Sequence, residues 1–279
     1  MKAKVIKMHG QGNDYILIDL LHGSGKACLA HIVGIDWNTL SIKLSDRHFG
    51  IGGDGIVVIE NSDFGIRNSK VKMRMFNADG SEAETCGTAL RCVAYYVSSE
   101  NDSKACLATT DMVYIHTLSG VKECMIDESG IVSVNMGKVI LEKEMSIEID
   151  SENIHGYYLN IGNPHFVVFE SELLDNNRDI WNKIETHNAF INKTNVENIY
   201  INNDKEIRIK IWERGSGFTL ACGSGACVSA FISHKLKKLS DKIRVYFPGG
   251  EVFVQILDDD TCILSGSVEK VFETEIDLN

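Results

Sequence analysis

Two cysteines in this chain, Cys86 and Cys222, are each followed by glycine, and each opens an apolar-periodic segment. The surrounding stretches read MRMFNADGSEAETCGTALRCVAYYV, from Met73 to Val97, and IKIWERGSGFTLACGSGACVSAFISH, from Ile209 to His234. Both begin with alternating apolar residues, Met73 and Met75 in one and Ile209 and Ile211 in the other. Both continue through an aromatic residue (Phe76 or Trp212) and a glycine turn to the Cys-Gly pair. Leu90, Val93, Ala94 and Val97 recur at helical spacing after the first pair, and Val228, Phe231, Ile232 and Leu236 after the second. Each cysteine is thus expected at a helix N-terminus. That position offers free backbone N–H groups and a partial positive charge. It favours thiolate over thiol and can lower a cysteine pKa below its free value of about 8.5. The same N–H groups can grip a carboxylate, and the following glycine lets an anion approach the backbone.

Such chemistry suits inversion at one carbon. A thiolate on one face removes a proton and a thiol on the other face returns one. A carboxylate held at two helix ends takes up the charge spreading from the carbanion. No cofactor is needed. A cysteine hydrolase would need one nucleophile and a histidine, leaving the second Cys-Gly site unexplained.

The elements that position these sites follow from the rest of the chain. The repeat is about half the chain long, which predicts two related halves and not a stacked array. Strands are expected at 4–8 and 15–19 around His9-Gly10-Gln11-Gly12-Asn13-Asp14, and a helix capped by Asp36 through about Arg47. Further β segments are expected around Cys106–Thr110, Met112–Thr117, Ile131–Val134 and Ser146–Ile149. Gly162-Asn163-Pro164-His165 repeats the pattern of Gly12-Asn13-Asp14-Tyr15. A helix is expected at about Asn177–Thr186, with Ile180, Trp181 and Ile184 on one face. Asn192–Val196 reads as a polar loop before a strand at Asn198–Ile201. The last segments, Ile243–Phe247, Val252–Ile256, Thr261–Leu264 and Val268–Phe272, read as strands.

Composition sets the class. The chain has 279 residues, 44% hydrophobic and 24% charged, with a formal charge of −11. This is ordinary globular composition, without the basic footprint of a nucleic-acid binder. No apolar run approaches a membrane span, and the N-terminus lacks the apolar core of a signal peptide. A cytoplasmic location is expected by default, where the eight cysteines stay reduced. Cys28, Cys106, Cys124 and Cys262 read as small core residues, and Cys92 and Cys227 as packed inside the two helices. The spacings Cys86/Cys92 and Cys222/Cys227 do not match zinc-ligand patterns, so no metal is expected. Gly50, Gly52 and Gly55 match G-x-G-x-x-G, but the required strand-before, helix-after context is reversed. That loop is expected to line the active-site cleft.

Asn77, Asp79, Cys86, Gly87, Arg91, Asn163, His165, Asn195, Glu213, Arg214, Cys222, Gly223 and Ser224 make up the constellation. With HGQGNDY, DRHFGIGGDG, FNADGSEAETCG, IGNPHF, KTNVENI, ERGSGFTLACGSGAC and FPGGE in this order, the whole chain resembles the diaminopimelate epimerase family. These are cofactor-independent isomerases of the lysine and peptidoglycan pathway. The resemblance implies that Cys86 and Cys222 are the base and acid. It implies that the reacting carboxylate sits on backbone N–H groups at Gly87-Thr88 and Gly223-Ser224. The far amino-acid end of the substrate would be held by Asn77, Asn163, Asn195, Glu213 and Arg214, with Asn13 a further contact. His165 and Glu213 match groups that tune the cysteine pKa values. Arg214 offers a planar fork suited to a carboxylate, and the asparagines give neutral donors and acceptors.

The family pattern after the first cysteine is Gly-Asn-Gly-x-Arg-Cys, where this chain has Gly87-Thr88-Ala89-Leu90-Arg91-Cys92. Phe218 stands where the family has a smaller or acidic residue, and Gly55 where some members place a side-chain amide. These changes are expected to crowd the reacting centre. They leave open a cofactor-independent racemase of another amino acid, such as histidine, by the same two thiols. The expected fold is α/β of the α+β type. It has two pseudo-twofold related domains, each a mixed, mostly antiparallel sheet wrapped around a central helix. The halves are residues 1–129 and 130–266. The resemblance adds the return of 267–279 to the first half, a cleft between halves as active site, and a homodimer.

Overall fold

Alternating apolar residues become strands in much of the chain, and the two cysteine segments become the longest helices among the described residues. The computed structural model describes residues 2–21, 34–62, 71–100 and 111–278. Cys28, Cys106 and the segment expected as β at 106–110 lie outside the described residues. The chain divides into two compact units, Met1–Val134 with Ser267–Asn279, and Asn135–Gly266. Among the described residues no helix is long and apolar enough to cross a membrane.

The first unit runs β1 (Lys2–Gly10), β2 (Asn13–Asp19), α1 (Trp37–Ser45), β3 (Gly55–Asn61), β4 (Val71–Asn77), β5 (Glu82–Ala83), α2 (Gly87–Glu100), β6 (Asp111–Thr117) and β7 (Gly120–Ile126). The boundary falls within β8 (Val132–Lys138). The second unit continues with β9 (Ile140–Ile149), β10 (Glu152–Asn160), β11 (Pro164–Phe169), α3 (Glu172–Asn176), α4 (Arg178–Glu185), β12 (Asn195–Asn203), β13 (Glu206–Glu213), β14 (Gly217–Phe218), α5 (Gly223–Lys237), β15 (Lys242–Phe247), β16 (Gly250–Ile256) and β17 (Thr261–Gly266). β18 (Glu269–Asp277) then lies antiparallel to β1 in the first unit.

The two units repeat one pattern of pairings. In the first, β1 and β2 are antiparallel, β2 and β3 parallel, β3 and β4 antiparallel, and β4 and β6 parallel. In the second, β10, β11, β12, β13 and β15 pair in the same order with the same senses. β9 lies against β10 as β18 lies against β1. The register repeats too: Tyr15 stands opposite Gly55 on the β2–β3 ladder, and His165 opposite Asn195 on the β11–β12 ladder. Each unit is therefore a mixed, mostly antiparallel sheet. Asn195 and Val196 belong to β12, not to the loop expected there, because parallel pairing with His165 and Phe166 claims their backbone groups.

A helix fills each unit. α2 packs on β1, β2, β6 and β7, and every residue from Gly87 to Ala94 is buried. α5 packs on β11, β12, β13, β15, β16 and β17. Leu90, Val93, Val228 and Ile232 are fully buried, each contributing about 1.5–3 kcal/mol of transfer free energy. The shorter helices form as their caps direct. The Asp36 carboxylate accepts from the Thr39 N–H at 3.2 Å, and Trp37, Leu40 and Leu44 face the core. The Asn177 side chain accepts from the Asp179 N–H, and Ile180, Trp181 and Ile184 are buried.

Candidate active site

Each helix starts one residue after its cysteine. The Leu90 N–H donates to the Cys86 carbonyl at 2.9 Å and the Ala226 N–H to the Cys222 carbonyl at 3.0 Å. These are the first helical bonds, so the next three N–H groups after each cysteine lack partners within the helix. Gly225 has a steric reason as well. A Cβ there would lie 2.4 Å from Ile211 Cδ1 and 2.9 Å from Glu197 Oε1.

In the first unit, Cys86 is half-buried. The Tyr15 hydroxyl lies 3.3 Å from its sulfur, and Asn13 Oδ1 accepts from it at 3.9 Å. The Asn13 amide is oriented from behind, because its Nδ2 donates to Asp54 Oδ2 at 2.8 Å. The same oxygen accepts from the Asp14 N–H. Arg47 bridges the Asp14 and Asp54 carboxylates at 2.7 and 3.0 Å, and the Lys7 ammonium donates to Asp14 at 2.6 Å and to the Gly52 carbonyl. Burial, then the nearby Asp14 charge, raises the Asp54 pKa. Burial acts on Asp14 too, but hydrogen bonds from Arg47 and Lys7 hold its carboxyl below the usual range. The glycine loop at 50–55 thus acts by presenting Asp54 to Asn13.

In the second unit a chain of polar side chains leads to Cys222. Glu197 Oε1 lies 2.6 Å from His165 Nδ1, with both side chains fully buried. His165 Nε2 lies 3.1 Å from Asn163 Oδ1, Asn163 Nδ2 donates to Ser224 Oγ at 3.3 Å, and Ser224 Oγ lies 3.4 Å from the Cys222 sulfur. Asn163 accepts at Oδ1 and donates at Nδ2, so it joins the His165–Glu197 pair to the Ser224 hydroxyl beside the sulfur. The helix start was expected to favour thiolate. Instead burial pushes the Cys222 thiol well up, and the Glu213 charge pushes the same way. The Ser224 hydroxyl and the Gly225 N–H oppose this without offsetting it. At this sulfur, desolvation of the anion outweighs the helix end.

The remaining expected contacts are arranged as follows. Asn77 begins the β4–β5 turn and donates through Nδ2 to Ser81 Oγ at 3.0 Å. Asn195 ties β12 to β11 and to the turn after β13: its Nδ2 donates to the Pro164 carbonyl and its Oδ1 accepts from the Arg214 N–H, both at 2.9 Å. Its second amide hydrogen remains for another acceptor. Glu213 Oε1 accepts from the Thr219 hydroxyl at 2.6 Å. The Arg214 side chain is exposed and donates to the Asn192 carbonyl at 3.0 Å. Arg91 is 1% exposed and has a structural role. It donates to the Ser267 carbonyl, to Gln11 and to Thr88, tying the β1–β2 turn and the approach to β18 onto α2.

The family model described as diaminopimelate epimerase matches residues 5–142 and 157–271. The chain belongs to the diaminopimelate epimerase family. It is 36% identical over 290 residues to the diaminopimelate epimerase of Caldanaerobacter subterraneus, covering 98% of each chain. The same enzyme of Methanococcus maripaludis is 36% identical over 294 residues, covering 99% of this chain and 100% of the relative. Among solved structures, a hydroxyproline epimerase from Agrobacterium vitis shares the fold with a TM-score of 0.75 at 12% identity, covering 99% of this chain and 92% of that one. A predicted epimerase from Pseudomonas aeruginosa shares it with a TM-score of 0.70 at 11% identity, covering 98% and 99%.

The departures from the epimerase pattern take a different meaning from the crowding expected of them. Thr88 is fully buried, with its hydroxyl accepting from Arg91 at 3.3 Å. Ala89 is fully buried in the first turn of α2. Phe218 packs edge-on against Trp181 and Trp212, with ring centroids 5.1 and 5.0 Å away. All three are packing residues. Gly55 admits no side chain at all, since a Cβ would lie 2.3 Å from the Phe76 carbonyl oxygen. Its counterpart in the repeat, Asn195, carries the amide. Sequence reasoning passed over Tyr15, Asp54, Glu197 and Thr219. Two signals were available: the repeat aligns Tyr15 with His165, and Glu197 is a charge in a segment bounded by the apolar Val196 and Ile199.

Proposed function

We propose that this protein epimerises LL-2,6-diaminopimelate to the meso form, supplying lysine and peptidoglycan precursor synthesis. The observation that carries the reading is a Cys-Gly helix start at the same point of each repeated unit, in a chain of this family. One cysteine, as thiolate, takes the Cα proton; the other, as thiol, delivers a proton to the opposite face, so one C–H bond breaks and one forms. The two sulfurs then hold exchanged protonation states. Backbone N–H groups of Gly87-Thr88 and Gly223-Ser224 hold the α-carboxylate and stabilise the charge it gains. Asn13, Asn77, Asn163, Asn195, Glu213 and Arg214 recognise the rest of the substrate, Glu213 taking the ammonium and Arg214 the far carboxylate. No cofactor takes part. The alternative of a histidine-type substrate rested on crowding by Thr88, Ala89 and Phe218, and all three are engaged in packing. The reading includes a cytoplasmic location, where thiols stay reduced, and a homodimer, to be read by light scattering.

The test is deuterium uptake at Cα from heavy water with LL-diaminopimelate, run beside a panel of other L-amino acids. Uptake with diaminopimelate well above the panel is expected, and is lost in Cys86→Ala and Cys222→Ala. Absence of uptake, or a faster substrate in the panel, overturns the reading.

A further inference from the structure

The geometry points to Tyr15 as a positioning residue that donates its phenol hydrogen to the Cys86 sulfur and stabilises the thiolate. Tyr15 is 4% exposed, so its ring is fixed in the core of the first unit while its hydroxyl lies 3.3 Å from Sγ. That is within reach of an O–H···S bond. The second partner of the sulfur, Asn13 Oδ1, can only accept. It serves the S–H form, and its orientation is held by the donation of Nδ2 to Asp54. The thiol and the thiolate of Cys86 therefore each have a matched partner, Asn13 for one and Tyr15 for the other. A group that alternates between base and acid needs both.

The repeat supports the assignment independently. Tyr15 occupies on β2 the register position that His165 occupies on β11. His165 belongs to the polar chain that ends on Cys222, so the same place in each unit carries a group directed at that unit's cysteine. The two units solve the problem differently: a phenol in direct contact in the first, and an imidazole acting through Asn163 and Ser224 in the second. Among the described residues, titratable groups near Cys86 include Asp54, behind Asn13, and Cys92 on α2. Burial pushes Cys92 up to about 12, so it stays a thiol through the range in which Cys86 is titrated.

The inference rests on the catalytic role proposed for Cys86, but its test does not need turnover. Iodoacetamide labelling of Cys86, read site by site by mass spectrometry across pH, follows the thiolate. Tyr15→Phe keeps the ring and is expected to raise the labelling midpoint by roughly one pH unit. Incorporating 3-fluorotyrosine at position 15, a stronger donor of the same shape, should lower the midpoint. In the exchange assay Tyr15→Phe should reduce kcat about tenfold near neutral pH with KM little changed, and activity should recover at higher pH. An unchanged midpoint in both variants, or a lower one in Tyr15→Phe, overturns the assignment; the second result would make the phenol an acceptor of the S–H. Should the wild-type protein fail to exchange diaminopimelate, the labelling shifts still decide the role of Tyr15.

Discussion

Replacing Glu197 by alanine should be among the most damaging changes available in the second unit. Glu197 and His165 are both fully buried, 2.6 Å apart, and join the neighbouring strands β12 and β11. Glu197 Oε2 has no hydrogen-bond partner among the described residues, so His165 is its one strong compensation. Removing one member of such a buried pair costs about 3–5 kcal/mol, because the survivor is left desolvated. That is a large share of the ~5–15 kcal/mol that holds a domain folded. With an m-value of about 3 kcal/mol per M, the urea midpoint should fall by more than ~1 M. Trp181 and Trp212 report on this unit directly, since Trp181 is buried in it and Trp212 donates to Glu185 at 2.7 Å. Their fluorescence in a urea titration is the assay. Glu197→Gln, which keeps a hydrogen-bonding group facing His165 Nδ1, should recover at least half of the loss. A midpoint shift below about 0.2 M for Glu197→Ala would refute the reasoning, because the pair would then contribute nothing net.

Gly225→Ala should destabilise by about 1–3 kcal/mol through overpacking against Ile211, whereas Ala89→Gly at the matching place in α2 should cost only about 1 kcal/mol of helix propensity; equal losses in chemical denaturation would contradict this. Alkaline pH should also destabilise the fold. Burial raises the thiols of Cys92 and Cys124 to about 12 and that of Cys222 well above its ordinary value. The folded chain thus keeps three protons that the unfolded chain releases from about pH 8.5 upward. Their contribution is complete below that pH and is lost as pH rises towards the folded-state values, at about 1.4 kcal/mol per pH unit for each thiol. Urea midpoints at a series of pH values should fall accordingly, and Cys92→Ala should flatten the slope; a flat profile in the wild-type chain would count against the buried thiols.

Much of the architecture was legible because its signals are local. A period of 3.6 after each Cys-Gly pair marks α2 and α5, and capping residues mark the starts of α1 and α4. The half-chain repeat announces two related units before any pairing is known. Asn195 was misread as loop because its neighbours are polar, while its strand character comes from a parallel partner on β11. Thr88 and Phe218 were expected to crowd the substrate because sequence position says nothing about which way a side chain turns. Arg91 claims one, and Trp181 and Trp212 claim the other.

Residue type and spacing were enough to specify two helix-terminal cysteines, the halves that carry them and the family they belong to. The partners of those cysteines were not legible in the same way. Tyr15 reaches Cys86 across 71 positions of chain, and Glu197 meets His165 across 32. The upward shift of the Cys222 thiol follows from a third factor, the loss of water around its sulfur, which outweighs the helix end that the spacing foretold. Burial and long-range contact depend on how distant strands register. They arise only once the sheets close around their helices, and no local pattern encodes them.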